Sequence, residues 1–394
     1  MSASTQSRIG SPLGVVEGKS RDVTTSRTTT FVIAAGGTGG HVLPGLAVAR
    51  ELEARGFGAL FVGTSRGMEG RLVPAAGFEL RLMNVGPLNA VSLARRLRTV
   101  LTLPWAVVAA IRLLRTVRPP AVLSLGGYAS GPLVAAAGLL GVPIVAMEPN
   151  AYPGLANRLA ARFVQQAFVG FEAATKHFPR GRTQVAGVPV QQEFFEIPRK
   201  AHAGPPTILV TGGSQGAGRL NQAAVEAARI WAREGFPGGL SIVHQTGPDE
   251  YTRVDAEYAR LGDSSEIELR AIPFIDDMPK AFSQADFVVC RAGASTLAEL
   301  AAAGKASILI PYPHAADDHQ RHNAEAMASA GASRLVADDE WTGERMAREI
   351  GTILGATGRL EAMEDAALRL ARPGAAQAVA DQLESLAQSV GDRR

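Results

Sequence analysis

The sequence predicts an α/β protein built from two Rossmann-like, doubly wound parallel-sheet domains. Three observations carry this. Short apolar, β-branched segments alternate with helical patterns, the signature of strands joined by crossover helices. The alternation restarts halfway, since Phe31–Gly37 and Ile208–Gly213 each run a hydrophobic strand straight into paired glycines. The 394 residues also suit two or three domains of roughly 150 residues.

Element by element, Thr30–Ala35 reads as the first strand and Leu46–Arg55 as the first helix. Strands Ala59–Gly63 and Glu79–Met83 follow, then a long Arg- and Leu-rich helical region over Val91–Val117. Pro119 to Met147 carries no charge and is long enough to imitate a membrane span. Glycines and prolines interrupt it, so it parses as strand Ala121–Leu125, glycine loop, helix Pro132–Leu140 and strand Val142–Met147. Helix Leu155–Phe163 and strand Gln166–Gly170 complete the first half, and Pro189–Pro206 reads as a linker. The second half reads as strand Thr207–Thr211, helix Arg219–Glu234 and strand Leu240–Gln245. Strands Glu268–Ile272, Phe287–Cys290, Ser307–Ile310 and Arg334–Val336 follow, with helices between.

Composition narrows the function classes. Apolar residues make up 46% and charged residues 20%, which supports a sizeable core and excludes wholesale disorder. Met1–Thr30 is the exception. It is rich in Ser, Thr and Gly without a continuous apolar run, so residues 1–30 are expected to be a disordered extension and not a signal peptide. The single cysteine, Cys290, excludes a disulfide framework and a Cys-based metal site, and it ends an apolar strand as a core residue would. The net charge of +3 does not point to nucleic acid. Glycine is in excess, at 43 residues against a usual ~7%.

Four loops take up much of that excess: Gly36–His41, Gly126–Gly131, Gly212–Gly218 and Arg291–Thr296. Each follows a predicted strand and precedes a helix. Glycine lets backbone amides approach a ligand, and the helix N-terminus adds a positive dipole end, so such loops bind phosphate. The dinucleotide fingerprint fails on spacing, because its third glycine would fall at Val42 or Asn221. A Walker A frame from Gly213 reaches Gly218 and then Arg219 and Leu220 where Lys and Ser/Thr are needed. Two facing sheets with ligands at the carboxyl ends of their strands are the expected arrangement.

Several side chains carry chemistry. His41, at the start of the first helix, suits a general base or a hydrogen-bonded loop histidine. Glu299, one turn into the helix after Ala294–Thr296, suits acceptance from two ribose hydroxyls or a plain dipole-complementing role. Asp317, Asp318, His319, Gln320, His322 and Asn323 form a polar run. Its histidines fit no zinc spacing, so no metal is expected, and Gln320 and Asn323 suit sugar hydroxyls. Glu148 and Asn150 follow a strand and belong at its ligand edge. Arg95, Arg96, Arg98, Arg112, Arg115 and Arg118 flank an apolar stretch with Trp105, the composition of an interfacial membrane surface or of a sheet-covering helix with solvated arginines.

The motifs Gly36-Gly-Thr-Gly-Gly-His-Val-Leu-Pro-Gly-Leu-Ala-Val-Ala49, Gly212-Gly-Ser-Gln-Gly-Ala217, Phe274-Ile-Asp-Asp-Met278, Gly293-Ala-Ser-Thr-Leu-Ala-Glu299 and Asp318-His-Gln-Arg-His-Asn-Ala324 closely resemble the MurG family of peptidoglycan glycosyltransferases. The resemblance spans about residues 31–375. It implies a GT-B fold and inverting transfer of N-acetylglucosamine from UDP-N-acetylglucosamine to the muramyl 4-hydroxyl of lipid I, forming lipid II. It implies an acceptor-binding domain over 31–190, a UDP-sugar domain over 191–372, and a last helix, 373–394, returning to the first. Beside the resemblance, His41 is expected to be the base, with Glu148 as the alternative; the resemblance itself puts both at the acceptor. It places Thr38, Gly39, Gly40, Tyr128 and Asn150 at the acceptor. Gln191, Ser214, Gln215, Ile275, Ala294, Ser295, Thr296, Glu299, His319, Gln320 and Asn323 then belong to the UDP-sugar. No cofactor and no nucleic acid are implied. The implied partners are lipid I in the membrane, the anionic inner-leaflet surface and cell-wall synthesis proteins, with the chain peripheral on the cytoplasmic face of the cell membrane.

Two positions depart from the family pattern. Gln191 stands where the family places an arginine near the diphosphate, which removes a charge-assisted contact that Arg219 or Arg291 would have to replace. Pro149 stands where the family has a glutamine. These departures keep an inactive nucleotide-sugar binder in view as an alternative, and a UDP-sugar 2-epimerase-like enzyme, also built on two such domains, is the other.

Overall fold

The structure is a computed structural model that describes residues 13–16, 28–36, 39–64, 67–86, 93–262 and 266–391. The chain divides into two compact units. The first comprises Met1–Pro149, Pro153–Ala186 and Ala376–Arg394, and the second Asn150–Tyr152 and Gly187–Ala375.

The first unit carries strands β1 (Leu13–Val16), β2 (Thr30–Ala34), β3 (Gly58–Gly63), β4 (Glu79–Met83), β5 (Val122–Ser124), β6 (Ile144–Glu148), β7 (Gln166–Val169) and β8 (Thr183–Val185). They form one sheet in the order β1-β4-β3-β2-β5-β6-β7-β8. Every pair is parallel except β1 against β4. Part of the stretch expected to be a disordered extension is therefore a strand. Leu13–Val16 has the β-branched composition for it and pairs an edge that β4 would otherwise leave open. Helices α1 (Gly39–Ala54), α2 (Glu69–Ala75), α3 (Leu93–Val117), α4 (Ser130–Leu140) and α5 (Leu155–Ala160) follow their strands. The uncharged stretch is β5, α4 and β6, and no helix among the described residues is long and apolar enough to cross a membrane.

Helix α1 starts seven residues before the expected Leu46. Pro44 and Gly45 lie inside the helix, and Gly45 is a packing residue. A Cβ there would stand 3.2 Å from the Phe61 ring, so glycine lets α1 lie on β3. The C-terminal helix, Ala375–Gly391, adds Val379, Ala380 and Leu383 to the buried set. Arg55 holds it by ion pairs to Asp381 (2.6 Å) and Glu384 (3.0 Å).

The second unit carries β9 (Thr207–Thr211), β10 (Leu240–Gln245), β11 (Ile267–Ile272), β12 (Phe287–Cys290), β13 (Ser307–Leu309) and β14 (Ser333–Leu335). Their order is β11-β10-β9-β12-β13-β14, all parallel. This is the doubly wound order that reverses direction between its first and fourth strands. Helices α6 (Gly218–Glu234), α7 (Pro248–Leu261), α8 (Met278–Gln284), α9 (Ala294–Ala302), α10 (His319–Ser329), α11 (Gly343–Leu354) and α12 (Arg359–Leu370) cover it. Ile208, Val210, Trp231, Ile242, Phe287, Val289 and Trp341 lie at the centre of its core.

The linker is pinned at the amino end of this sheet. His202 places Nδ1 2.8 Å from Asp286 and Nε2 3.0 Å from Glu364. Lys200 pairs with Asp286 at 2.6 Å, and the Thr207 amide donates to the same carboxylate. Burial alone would lower the His202 pKa, but the hydrogen bonds to Asp286 and Glu364 and their charges outweigh it and raise the value.

Candidate active site

The four glycine loops leave β2, β5, β9 and β12. In each sheet these are the two adjacent central strands where the order reverses, the place where doubly wound sheets bind ligands. In the first unit Gly127 has φ +84°, and a Cβ there would stand 2.0 Å from the Gly36 carbonyl oxygen. Only glycine permits both that conformation and that approach. Ser130 fixes the loop by donating to the Gly126 carbonyl at 2.6 Å and to the Ala34 carbonyl at 3.3 Å.

His41 is the third residue of α1 and half-buried. Its Nε2 lies 3.2 Å from where a Cβ on Gly126 would stand, with the Asn157 amide nitrogen 3.5 Å from the same point. Gly39 and Gly40 open α1, and Tyr128 is exposed on the second loop. Thr38 lies outside the described residues, and the side chains of Arg95, Arg96 and Arg98 lie outside the described side chains.

Glu148 is fully buried. Its Oε2 accepts from the Asn157 amide at 3.0 Å and from the Gly154 amide at 3.1 Å, while Ser124 donates to Asn157 at 3.0 Å. The carboxylate thus orders the turn after β6. Asn150 belongs to the second unit, where its side-chain oxygen accepts from Asn323 at 3.2 Å. Asn323 is fully buried, accepts from the Ala151 amide at 2.9 Å and donates to the Ala292 carbonyl at 3.3 Å. Its carboxamide is engaged at both ends by protein atoms.

In the second unit, Gly216 has φ +73° and would bring a Cβ within 1.9 Å of the Thr246 carbonyl oxygen. Gln245 joins this loop to the next. It donates to the Gly213 carbonyl at 2.7 Å and accepts from the Ile275 amide at 3.1 Å. Ser214 is half-buried and Gln215 exposed at the tip of the turn. Beneath them His244 contacts Tyr258 at 2.9 Å and Asn221 at 3.0 Å. Burial lowers its pKa to about 3, so the imidazole is a neutral hydrogen-bonding strut.

Helix α9 begins at Ala294, with Ser295 buried and Thr296 half-buried in its first turn. Glu299 follows, and desolvation pushes its carboxyl up to about 8. His319 Nδ1 donates to the Ala316 carbonyl at 2.7 Å, and Gln320 accepts from the Tyr312 amide at 2.9 Å. Gln191 is exposed just before a short turn, Gln192–Phe194. Arg291 is engaged within the second unit. Its Nη1 lies 2.5 Å from Asp338 and donates to the Ile310 and Pro311 carbonyls. Arg219, in the first turn of α6, is exposed and lies 3.9 Å from Asp338.

Sequence reasoning missed Glu69, Asn157 and Gln245, which are polar residues that shape the loops. Nothing in their spacing marks them, because a buried polar group with local partners has no periodic signature.

Comparison with known proteins fits this geometry. The glycosyltransferase family 28 N-terminal domain matches residues 31–169 and the C-terminal domain residues 207–382. The UDP-N-acetylglucosamine–N-acetylmuramyl-(pentapeptide) pyrophosphoryl-undecaprenol N-acetylglucosamine transferase of Solibacter usitatus is 48% identical, over 91% of this chain and 96% of its own. The protein of that name from Myxococcus xanthus is 42% identical, over 89% of this chain and 91% of its own. The crystal structure of Acinetobacter baumannii MurG superposes with a TM-score of 0.72 at 32% identity, covering 91% of this chain and 99% of that one. A Listeria monocytogenes structure described as a putative UDP-N-acetylglucosamine 2-epimerase shares the fold alone, at TM-score 0.66 and 14% identity. The chain, with its two central pairs of glycine loops, belongs to glycosyltransferase family 28 and within it to the MurG transferases.

Proposed function

We propose that the chain transfers N-acetylglucosamine from UDP-N-acetylglucosamine to the muramyl 4-hydroxyl of lipid I, with inversion, yielding lipid II. The observation that carries this reading is the 48% identity, over nearly the whole of both chains, with a transferase of that printed activity. The site chemistry supports it. In the second unit the amides of Gly212–Gly218 and the N-terminus of α9 suit the diphosphate, Glu299 the ribose, and His319 and Gln320 the sugar. Arg219 takes the place of the arginine absent at Gln191. In the first unit the loops after β2 and β5 hold the acceptor's pyrophosphate, and His41 takes the proton as the hydroxyl attacks the anomeric carbon. As the bond to UDP breaks, charge grows on the diphosphate, and the loop amides stabilise it there.

The acceptor is lipid-linked, so the first unit meets a membrane. On α3, Leu101 (66% exposed), Trp105 (74%) and Val108 (39%) share a face with Arg112 and Arg115 at i, i+4, i+7 spacing. An apolar stripe ending in cations suits peripheral attachment to an anionic leaflet.

Radiolabelled UDP-N-acetylglucosamine with a lipid I analogue tests the reading. Label in the lipid product is the expected outcome. Free epimer identifies an epimerase instead, and binding without turnover a silent nucleotide-sugar binder.

A further inference from the structure

Gly36, where the first glycine loop leaves β2, packs against a buried carboxylate. Glu69 opens α2 and is fully buried. Its Oε1 accepts from the Thr64 amide at 2.7 Å and from the Thr64 hydroxyl at 2.9 Å. Three glycines converge on the side chain. A Cβ at Gly36 would stand 3.1 Å from Oε1, one at Gly63 2.4 Å from Cγ and one at Gly67 1.9 Å from Oε2. The side chain fills the space where β2 and β3 end. Gly36 is also the residue whose carbonyl lies under Gly127, so Glu69 touches the point where both loops meet. His41 follows five residues later on the same segment.

A filler alone would be better served by Leu or Met, because burying a carboxylate carries a desolvation penalty. What the carboxylate adds is an acceptor for the Thr64 amide and hydroxyl at the end of β3, which fixes the side chain against Gly36. We infer that Glu69 is a positioning residue for the lipid-linked acceptor: it sets the position of Gly36, where β2 ends beneath Gly127. It acts through the loop and touches no reacting atom. The inference rests on the assignment of these loops to the acceptor.

Steady-state kinetics of wild type, Glu69→Ala, Glu69→Gln and Thr64→Val, with Tm for each, test it. Losing a buried acceptor should raise the acceptor KM of Glu69→Ala at least about tenfold, with a lower kcat and unchanged KM for the UDP-sugar. Glu69→Gln keeps the shape and one acceptor oxygen, and should recover most of the loss. Thr64→Val should raise the acceptor KM by about threefold. If Glu69→Ala does not fold, the other two variants carry the test. A merely structural role would lower Tm and the active fraction while leaving the acceptor KM in place. Acceptor KM values within about twofold of wild type, or equal changes for both substrates, overturn the assignment. Absence of transfer by the wild type overturns the functional reading instead, and this assignment with it.

Discussion

His41 and Glu299 are the residues on which the chemistry is most open to test. His41 stands in the first turn of α1 beside Gly126. Replacing it with alanine should lower kcat by about 10²- to 10⁴-fold while UDP binding stays the same, as measured by single-turnover kinetics and calorimetry. Near-normal turnover would shift the base role to another group, and Glu148 is poorly placed for it because two donors already engage its Oε2. Glu299 has its carboxyl raised to about 8 by desolvation. Its ionised form is the better acceptor of ribose hydroxyls, so UDP affinity should strengthen as pH rises through about 8. Calorimetry across that range should show the trend in wild type and a flat profile in Glu299→Gln. At this scale the sequence was uneven. His41 and Glu299 stand out in the sequence because they follow glycine loops, and the structure puts each within the first two turns of the helix behind its loop. Glu69, Asn157 and Gln245 do not stand out, since each is defined by a hydrogen-bond partner that only folding brings near.

At the scale of elements, strands were easier to read than helix starts. Thr30–Ala34 and Phe287–Cys290 are continuous apolar runs, as central parallel strands must be when both faces are covered. The edge strand Thr183–Val185 has no such run and went unread. The start of α1 was misplaced because Gly45 signals a turn locally while serving a packing contact. The linker is an element with a titratable fastening. His202 has a raised pKa, so its contribution to stability is fully present below the ordinary value of 6.5 and is lost as pH rises through the higher folded value. Asp286 is shifted down, with burial opposing and the bonds from Lys200, Thr207 and His202 prevailing. Its contribution holds above 3.8 and fades as pH falls through the lower folded value. Thermal melts from mildly acidic to alkaline pH should therefore show Tm falling with rising pH in wild type. His202→Gln should show a flatter profile over the same range, and a parallel decline would remove the fastening from the account.

For the whole molecule, two numbers from composition acquire locations. The glycine excess lies largely in the loops at the two central strand pairs, where backbone and ligand must approach closely. The near-neutral charge conceals a local asymmetry, the α3 stripe of Leu101, Trp105 and Val108 running into Arg112 and Arg115. Trp105→Glu should weaken partition onto anionic vesicles at least about tenfold, with turnover on a water-soluble acceptor analogue unchanged. Sedimentation with vesicles measures the first and the transfer assay the second. The C-terminal helix has a further consequence. The first unit is written in the chain both before and after the second, so during synthesis its sheet emerges early but its closing helix emerges only after the second unit. Until Val379, Ala380 and Leu383 leave the ribosome, the surface they cover stays open while the second unit is completed. A translation product cut short just before Ala375 would hold every residue proposed to touch substrate and still be a client for chaperones.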